Sequence, residues 1–295
     1  MQGSHLDSLI STIRGRRRQV DSLWNQQMQL LQTQAGTIRI LDTGGSKQAI
    51  ILVPDGPCVL EHYREIIQLL EPDFRVIGFD LPGFGFSYPS FKFDFSVSQM
   101  GETVIEVMDR LKLPFAALAF TCANGFFAMY AAQHYPDRVS HLVLGQTPSF
   151  QAMRQWDRQI IPRVLHIPYV GQLLAAGLVR QLSAKWYDKA LPSRSEQKSS
   201  FVHQADQALL SGGCFCLASL VQGLNRTEDS SLQNITTPTL MIYGNRDRSH
   251  QHTDFTSVSV HVPEAKMIKF DGCGHFPDLE QPQQYIQSIK PFLRA

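Results

Sequence analysis

Short runs dominated by apolar residues, at 49–53, 74–79, 115–119, 139–144 and 239–243, constrain this chain more than anything else in it. Each is too short for a stable helix and lacks the polar alternation of a half-exposed strand, so each reads as a strand buried on both faces. Residues 37–41 alternate and add a strand that closes in the turn Asp42-Thr43-Gly44-Gly45. Helical stretches intervene at 59–70, 96–111 and 126–135, the second carrying Val97, Met100, Val104, Val107, Met108 and Leu111 along one side. A strand at 266–270 and a helix at 282–293 end the pattern. Strands alternating with helices predict an α/β fold with a mostly parallel central sheet and helices on both faces.

The rhythm fails in two places. In the N-terminal part, Leu6, Leu9, Ile10, Ile13, Val20, Leu23, Trp24 and Leu31 follow helical spacing, interrupted by Gly15 and by Arg14, Arg16, Arg17 and Arg18. This predicts a helical extension at 1–36, packed on the domain with its arginines in water. The other reading makes it a protein or membrane-surface contact. From 148 to 226 the chain is rich in aromatic residues, is broken by Pro162, Pro168 and Pro192, and holds no buried-strand run. That segment reads as a helical cap inserted over one end of the sheet, dividing the core into 37–147 and 227–295.

A length of 295 residues, 43% hydrophobic and 18% charged, suffices for one large domain with such an insertion. A net charge of +1 supplies no bulk attraction to nucleic acid. No apolar run reaches the roughly 18 residues that a bilayer crossing takes. Five cysteines without regular spacing predict reduced thiols and a cytoplasmic protein. Cys214-Phe215-Cys216 lacks metal-ligand spacing, and neither metal nor cofactor is expected.

Three chemically capable side chains fall directly after predicted strands: Cys122, Asp247 and His275. In an open parallel sheet the carboxyl ends of the strands share one rim, so the three can meet there. Cys122 sits where the strand at 115–119 turns into the next helix, the geometry of a nucleophile elbow. A free thiol is only a few per cent thiolate at neutral pH, so it needs a base. His275 can take its proton and return it to a leaving group, and Asp247 can fix the imidazole's tautomer. Each also has a structural reading: a small buried hydrophobe for Cys122, a turn former for Asp247, a loop residue for His275.

These motifs resemble the α/β-hydrolase superfamily, in its capped, lid-bearing branch, over residues 37–293. The family's D-x-P-G-x-G-x-S stands here as Asp80-Leu81-Pro82-Gly83-Phe84-Gly85-Phe86-Ser87, and its Y-P-x-R-V as Tyr135-Pro136-Asp137-Arg138-Val139. Pro238 to Asp247 fits P-T-L-x-x-x-G-x-x-D, and Gly272 to Pro282 fits G-x-G-H-F-P-x-x-E-x-P. The resemblance implies Cys122 as nucleophile, Asp247 as acid and His275 as base, with the Gly56 and Ala123 amides as oxyanion donors. Three departures stand out: Phe120 and Asn124 where the elbow takes small residues, Pro54-Asp55-Gly56-Pro57 for the His-Gly loop, and cysteine for serine. The implied activity is hydrolysis of an ester, lactone or thioester through an S-acyl cysteine. Acyl transfer or cyclisation, and a decayed site kept for binding, remain alternatives. The expected partner is a small-molecule acyl substrate, free or bound to a carrier or CoA, with Trp156, Trp186, Tyr187 and Phe276 as candidate lining.

Overall fold

The computed structural model describes residues 3–16, 28–228 and 231–295. In chain order the elements are α1 (Ser4–Gly15), β1 (Met28–Thr33), β2 (Gly36–Asp42), β3 (Ala49–Val53), α2 (Arg64–Leu70) and β4 (Arg75–Phe79). Two short strands, β5 (Phe84–Gly85) and β6 (Tyr88–Pro89), precede α3 (Val97–Arg110), β7 (Ala116–Thr121), α4 (Asn124–His134) and β8 (Val139–Gly145). Next come α5 (Phe150–Ile160), α6 (Val170–Ala190), α7 (Lys198–Leu210), β9 (Cys214–Phe215) and α8 (Leu217–Arg226). The chain ends with β10 (Thr239–Gly244), β11 (Lys266–Phe270), α9 (Pro277–Glu280) and α10 (Pro282–Leu293).

The main sheet runs β1-β2-β4-β3-β7-β8-β10-β11, with β6 added beside β2. Pairing is antiparallel from β1 to β4 and parallel from β4 to β11. The apolar runs lie at its centre, where β3 and β7 are buried along their whole length. Alternate residues of β7 face opposite layers: Leu118 and Phe120 join the core under α3 and α4, Ala117 and Ala119 the core under α2 and α10. The parallel strands all deliver their carboxyl ends to one rim, which is where helices α5 to α8 sit.

Two expectations are corrected. The helical reading of 1–36 holds only in part, because Met28–Thr33 is the edge strand β1, paired with β2; residues 17–27 lie outside the described residues. The insertion also holds a short strand, β9, paired with β5 of the glycine-rich turn. This pairing ties the insertion to the core.

Helix α1 is turned opposite to its apolar spacing. It buries Ser4, Asp7, Ser8 and Ser11 and leaves Leu9 and Ile13 about half exposed. Small polar residues allow the close approach and find partners: Ser8 Oγ donates to Ser90 O at 3.0 Å, and Ser219 Oγ on α8 donates to Asp7 Oδ2 at 2.6 Å. Burial pushes the Asp7 carboxyl up to about 6, the bond from Ser219 opposing. With the folded value raised, stability is full below the unfolded value near 3.8 and declines as pH rises through about 6. Asp7→Asn, which keeps the acceptor and removes the charge, should therefore stabilise the fold by about 1–2 kcal/mol at pH 8. At pH 4 the effect should vanish, and thermal melts at the two pH values check the difference.

The motif Asp80 to Ser87 owes its residues to one buried ion network. Arg39 Nε donates to Asp80 Oδ2 at 2.7 Å, and its Nη1 and Nη2 donate to Glu61 at 2.5 and 2.9 Å. Asp80 also accepts from the backbone of Leu60 and Phe86, and Ser87 Oγ accepts from Arg39 N. Gly85 has φ +49, and a Cβ there would lie 2.3 Å from the Asp80 carboxylate, which explains the glycine. Arg39→Ala would leave the buried Asp80 carboxylate and the partly buried Glu61 carboxylate side by side without a cation. It should cost about 3–5 kcal/mol of unfolding free energy. A urea-denaturation loss under about 1 kcal/mol would show that solvent or rearrangement compensates.

Candidate active site

Strand β7 ends at Thr121 and α4 begins at Asn124, leaving two residues for the turn. Cys122 takes φ +58, a left-handed conformation that a non-glycine residue adopts at a cost. Its surroundings hold it there: Cys122 N donates to Gly145 O at 2.6 Å, and Thr147 Oγ1 donates to Cys122 O at 3.0 Å. Helix α4 is buried through most of its length, so it starts at a fixed point in the core. Phe120 lies fully buried within that core. Asn124, the other unusual elbow residue, donates from Nδ2 to Pro54 O at 3.1 Å, pinning the loop after β3 to the elbow.

Asp247 and His275 follow β10 and β11 and lie together, with His275 Nδ1 2.6 Å from Asp247 Oδ2. Ser249 N and Oγ donate to Asp247 Oδ1, and Gln146 Nε2 donates to Oδ2 at 2.7 Å. Burial works against the Asp247 charge, yet His275, with the Ser249 side chain adding to it, holds its pKa at about 2. Cys122 Sγ lies within 4.8 Å of a ring nitrogen of His275. Burial raises the thiol to about 11, the charge of Asp55 adding to the effect and His275 and the Ala123 amide opposing it.

The unexpected member is Asp55, in the loop after β3. Its Oδ2 lies 3.1 Å from His275 Nε2, so one buried imidazole is bracketed by two carboxylates. Burial disfavours charge on His275, but Asp247, the thiol and Asp55 together raise its pKa well above the ordinary value. His250 is a second member that no sequence motif marks. Its ring stacks on His275 with centroids 5.2 Å apart and on Trp156 at 4.5 Å. Burial depresses its pKa to about 3, so it stays neutral.

Cys122 Sγ and one nitrogen from each of His250 and His275 lie within 4.8 Å of one another, a donor set of the type zinc accepts. The two rings are stacked, only 24° apart, so their in-plane lone pairs run side by side rather than converging. This arrangement does not suit a metal centre.

A cavity of about 390 Å³ opens beside the thiol, lined by Asp55, Gly56, Cys122 and Ala123 below and by α5, α6 and α8 above. Trp156 and Trp186 line it; Tyr187 and Phe276 do not. Tyr187 is fully buried, its hydroxyl donating to Cys58 Sγ, and Phe276 packs edge-on behind His275, so both support the site from outside the cavity. Gly56 and Ala123 line the cavity together with the thiol, and a Cβ on Gly56 would meet Phe215 at 2.5 Å. The five cysteines are free and buried.

Sheet order, elbow, and an acid and histidine on successive strand ends define a hydrolase-type α/β architecture. The profile described as alpha/beta hydrolase fold matches residues 48–282, and the chain belongs to that family. Among curated proteins it is 28% identical over 238 residues to a pimeloyl-[acyl-carrier protein] methyl ester esterase of Vibrio parahaemolyticus, covering 78% of this chain and 88% of the relative. It is 25% identical over 233 residues to the protein of that name from Nitrosomonas europaea, covering 75% and 86%. Among solved structures, a hydrolase from Pseudomonas aeruginosa PA01 superposes with a TM-score of 0.73 at 21% identity, covering 92% of this chain and all of that one. Epoxide Hydrolase A from Mycobacterium thermoresistibile gives 0.72 at 17%, covering 91% and 98%. No helix among the described residues is long and apolar enough to cross a membrane.

Proposed function

We propose that this protein hydrolyses a carboxylic ester through an S-acyl intermediate on Cys122. The observation that carries the reading is the placement of Cys122 on a strained elbow at the floor of an apolar cavity, beside the His275–Asp247 pair. In the reaction the sulfur attacks the carbonyl carbon while His275 Nε2 takes the thiol proton. The resulting oxyanion sits toward the Gly56 and Ala123 amides, and removing one such donor costs on the order of a hundredfold. Collapse of the tetrahedral species breaks the C–O bond, and the departing alkoxide takes the proton from His275. Water then attacks the thioester with His275 as base, and the thiolate leaves with that proton. The relatives named for an acyl-carrier methyl ester support an ester whose acyl chain fills the cavity. The helical segment at 148–226 then serves as the cap, and the domain boundaries follow from that.

The test is incubation with a p-nitrophenyl acyl ester, then intact and peptide mass spectrometry. One acyl group on Cys122 and a matching burst of nitrophenol are expected; turnover without any Cys122 adduct would refute the S-acyl route. A second reading, transfer of the acyl group to a non-water nucleophile, is favoured by the aromatic walls. Phe150, Trp156, Trp186 and Phe215 line the cavity and would exclude water. Product analysis with added alcohols or amines separates the two.

A further inference from the structure

Helix α1 lies beside α6: Arg14 Nη2 donates to Ala176 O at 2.8 Å, and Gly3 packs against Gln172. Because α1 is turned with its serines inward, Leu9 and Ile13 face solvent at 52% and 46%. Helix α6 does the same with Val170, Leu173, Leu174 and Leu178, of which Leu173 is 60% exposed. These four recur at helical spacing along one side of α6. Two adjoining helices thus present aliphatic residues that stay about half exposed among the described residues, where scattered single residues are the rule on a soluble surface.

The chain segment that carries α6 is basic, although Arg180 is paired with Asp206 of α7. Residues 150–190, which include α5 and α6, hold six Lys or Arg against two Asp, a net of +4 in a chain whose total is +1. One of those two aspartates, Asp157, is buried. Aliphatic residues on a helix flanked by cations are the pattern of an interfacial helix on anionic lipid.

We propose that the α1–α6 ridge is a docking surface for an anionic lipid bilayer, with the leucines entering the headgroup–acyl boundary and the arginines and lysines meeting the phosphates. The same helix α6 supplies Leu182, Lys185, Trp186 and Lys189 to the wall of the cavity. Docking therefore sets the cavity wall next to the membrane surface, a short route for an apolar acyl chain. Surface binding does not depend on which acyl chemistry Cys122 performs.

The experiment is co-flotation of the full chain with phosphatidylcholine vesicles, with and without phosphatidylglycerol. Binding to the anionic vesicles is expected, weakened at least about tenfold on phosphatidylcholine alone and at high salt. A Leu9→Glu/Leu173→Glu variant should lose binding by at least about tenfold while its turnover of a soluble ester stays unchanged. Neither residue lines the cavity. Absence of flotation by the wild type, or equal flotation by the variant, would overturn the proposal. So would a dimer in light scattering that the variant splits, since the ridge would then be covered by a second copy. Flotation needs no turnover, so a failed esterase assay leaves this result readable.

Discussion

Replacing Cys122 with alanine should reduce kcat for ester hydrolysis at least about a thousandfold and remove the acyl adduct, with the fold intact. The side chain lost is small, and the elbow is held through the Cys122 backbone by Gly145 and Thr147, so the turn survives. Cys122→Ser is the more instructive variant. A thiol raised to about 11 by burial is thiolate in only about one molecule in ten thousand at pH 7. Attack by wild type thus already depends on proton removal in the transition state, and a hydroxyl is a far weaker acid. Serine should lose about a hundredfold or more, even though it is the residue the family usually places here. If serine matches or exceeds cysteine in kcat/KM, the thiol is not chosen for its acidity.

The fold and the strand-end positions of Cys122, Asp247 and His275 are legible in the sequence because they depend on local pattern. Apolar runs of five or six residues mark the buried strands, and Cys122 and Asp247 each follow one; His275 follows the sheet-edge strand β11, of which only Phe270 is buried. Asn124 and His250 carry no such signal; Asp55 and Gln146 do follow apolar runs, at 49–53 and 139–144, but their bonds to His275 and Asp247 come from loops that meet only after the sheet forms. By its sequence Asn124 is an oversized elbow residue; its amide bonds Pro54 O, an acceptor 70 positions away in sequence. Trp156 and Trp186 stand in the cavity wall, whereas Tyr187 and Phe276 share the same chemistry but face the core. Residue type alone cannot distinguish these cases. The N-terminal helix misleads for a different reason. Its apolar spacing is real, but close packing on α6 and α8 is made by serines, and the leucine side is left outside. Strand β1 reads as helix because Met28–Thr33 lies at the sheet edge and none of its residues is buried, which removes the apolar run that marks the others.

Asp55→Asn should make the enzyme faster at and below neutral pH. In the triad mechanism His275 must present a lone pair at Nε2, so only its deprotonated form is competent. In the wild type that nitrogen faces the Asp55 carboxylate at 3.1 Å while Nδ1 faces Asp247 at 2.6 Å. Burial alone would favour the neutral ring, but the negative partners prevail and raise the pKa well above the ordinary value. The rate of Cys122 acylation should therefore climb with pH through a midpoint above that of a free histidine. An opposite charge at this range typically moves a pKa by about 1–3. Asparagine keeps the size and a hydrogen-bonding group but removes the charge, so the midpoint should fall by about one pH unit or more. At a pH below both midpoints, each pH unit by which the midpoint falls corresponds to about a tenfold gain in kcat/KM. Above both midpoints the two enzymes should converge, which separates the electrostatic effect from a change in substrate fit. The measurement is kcat/KM for a p-nitrophenyl ester from about pH 5 to 9, with single-turnover acylation to isolate the first step. The opposite result, a loss of about a hundredfold at every pH, would mean that Asp55 accepts the thiol proton itself and that His275 works as the imidazolium.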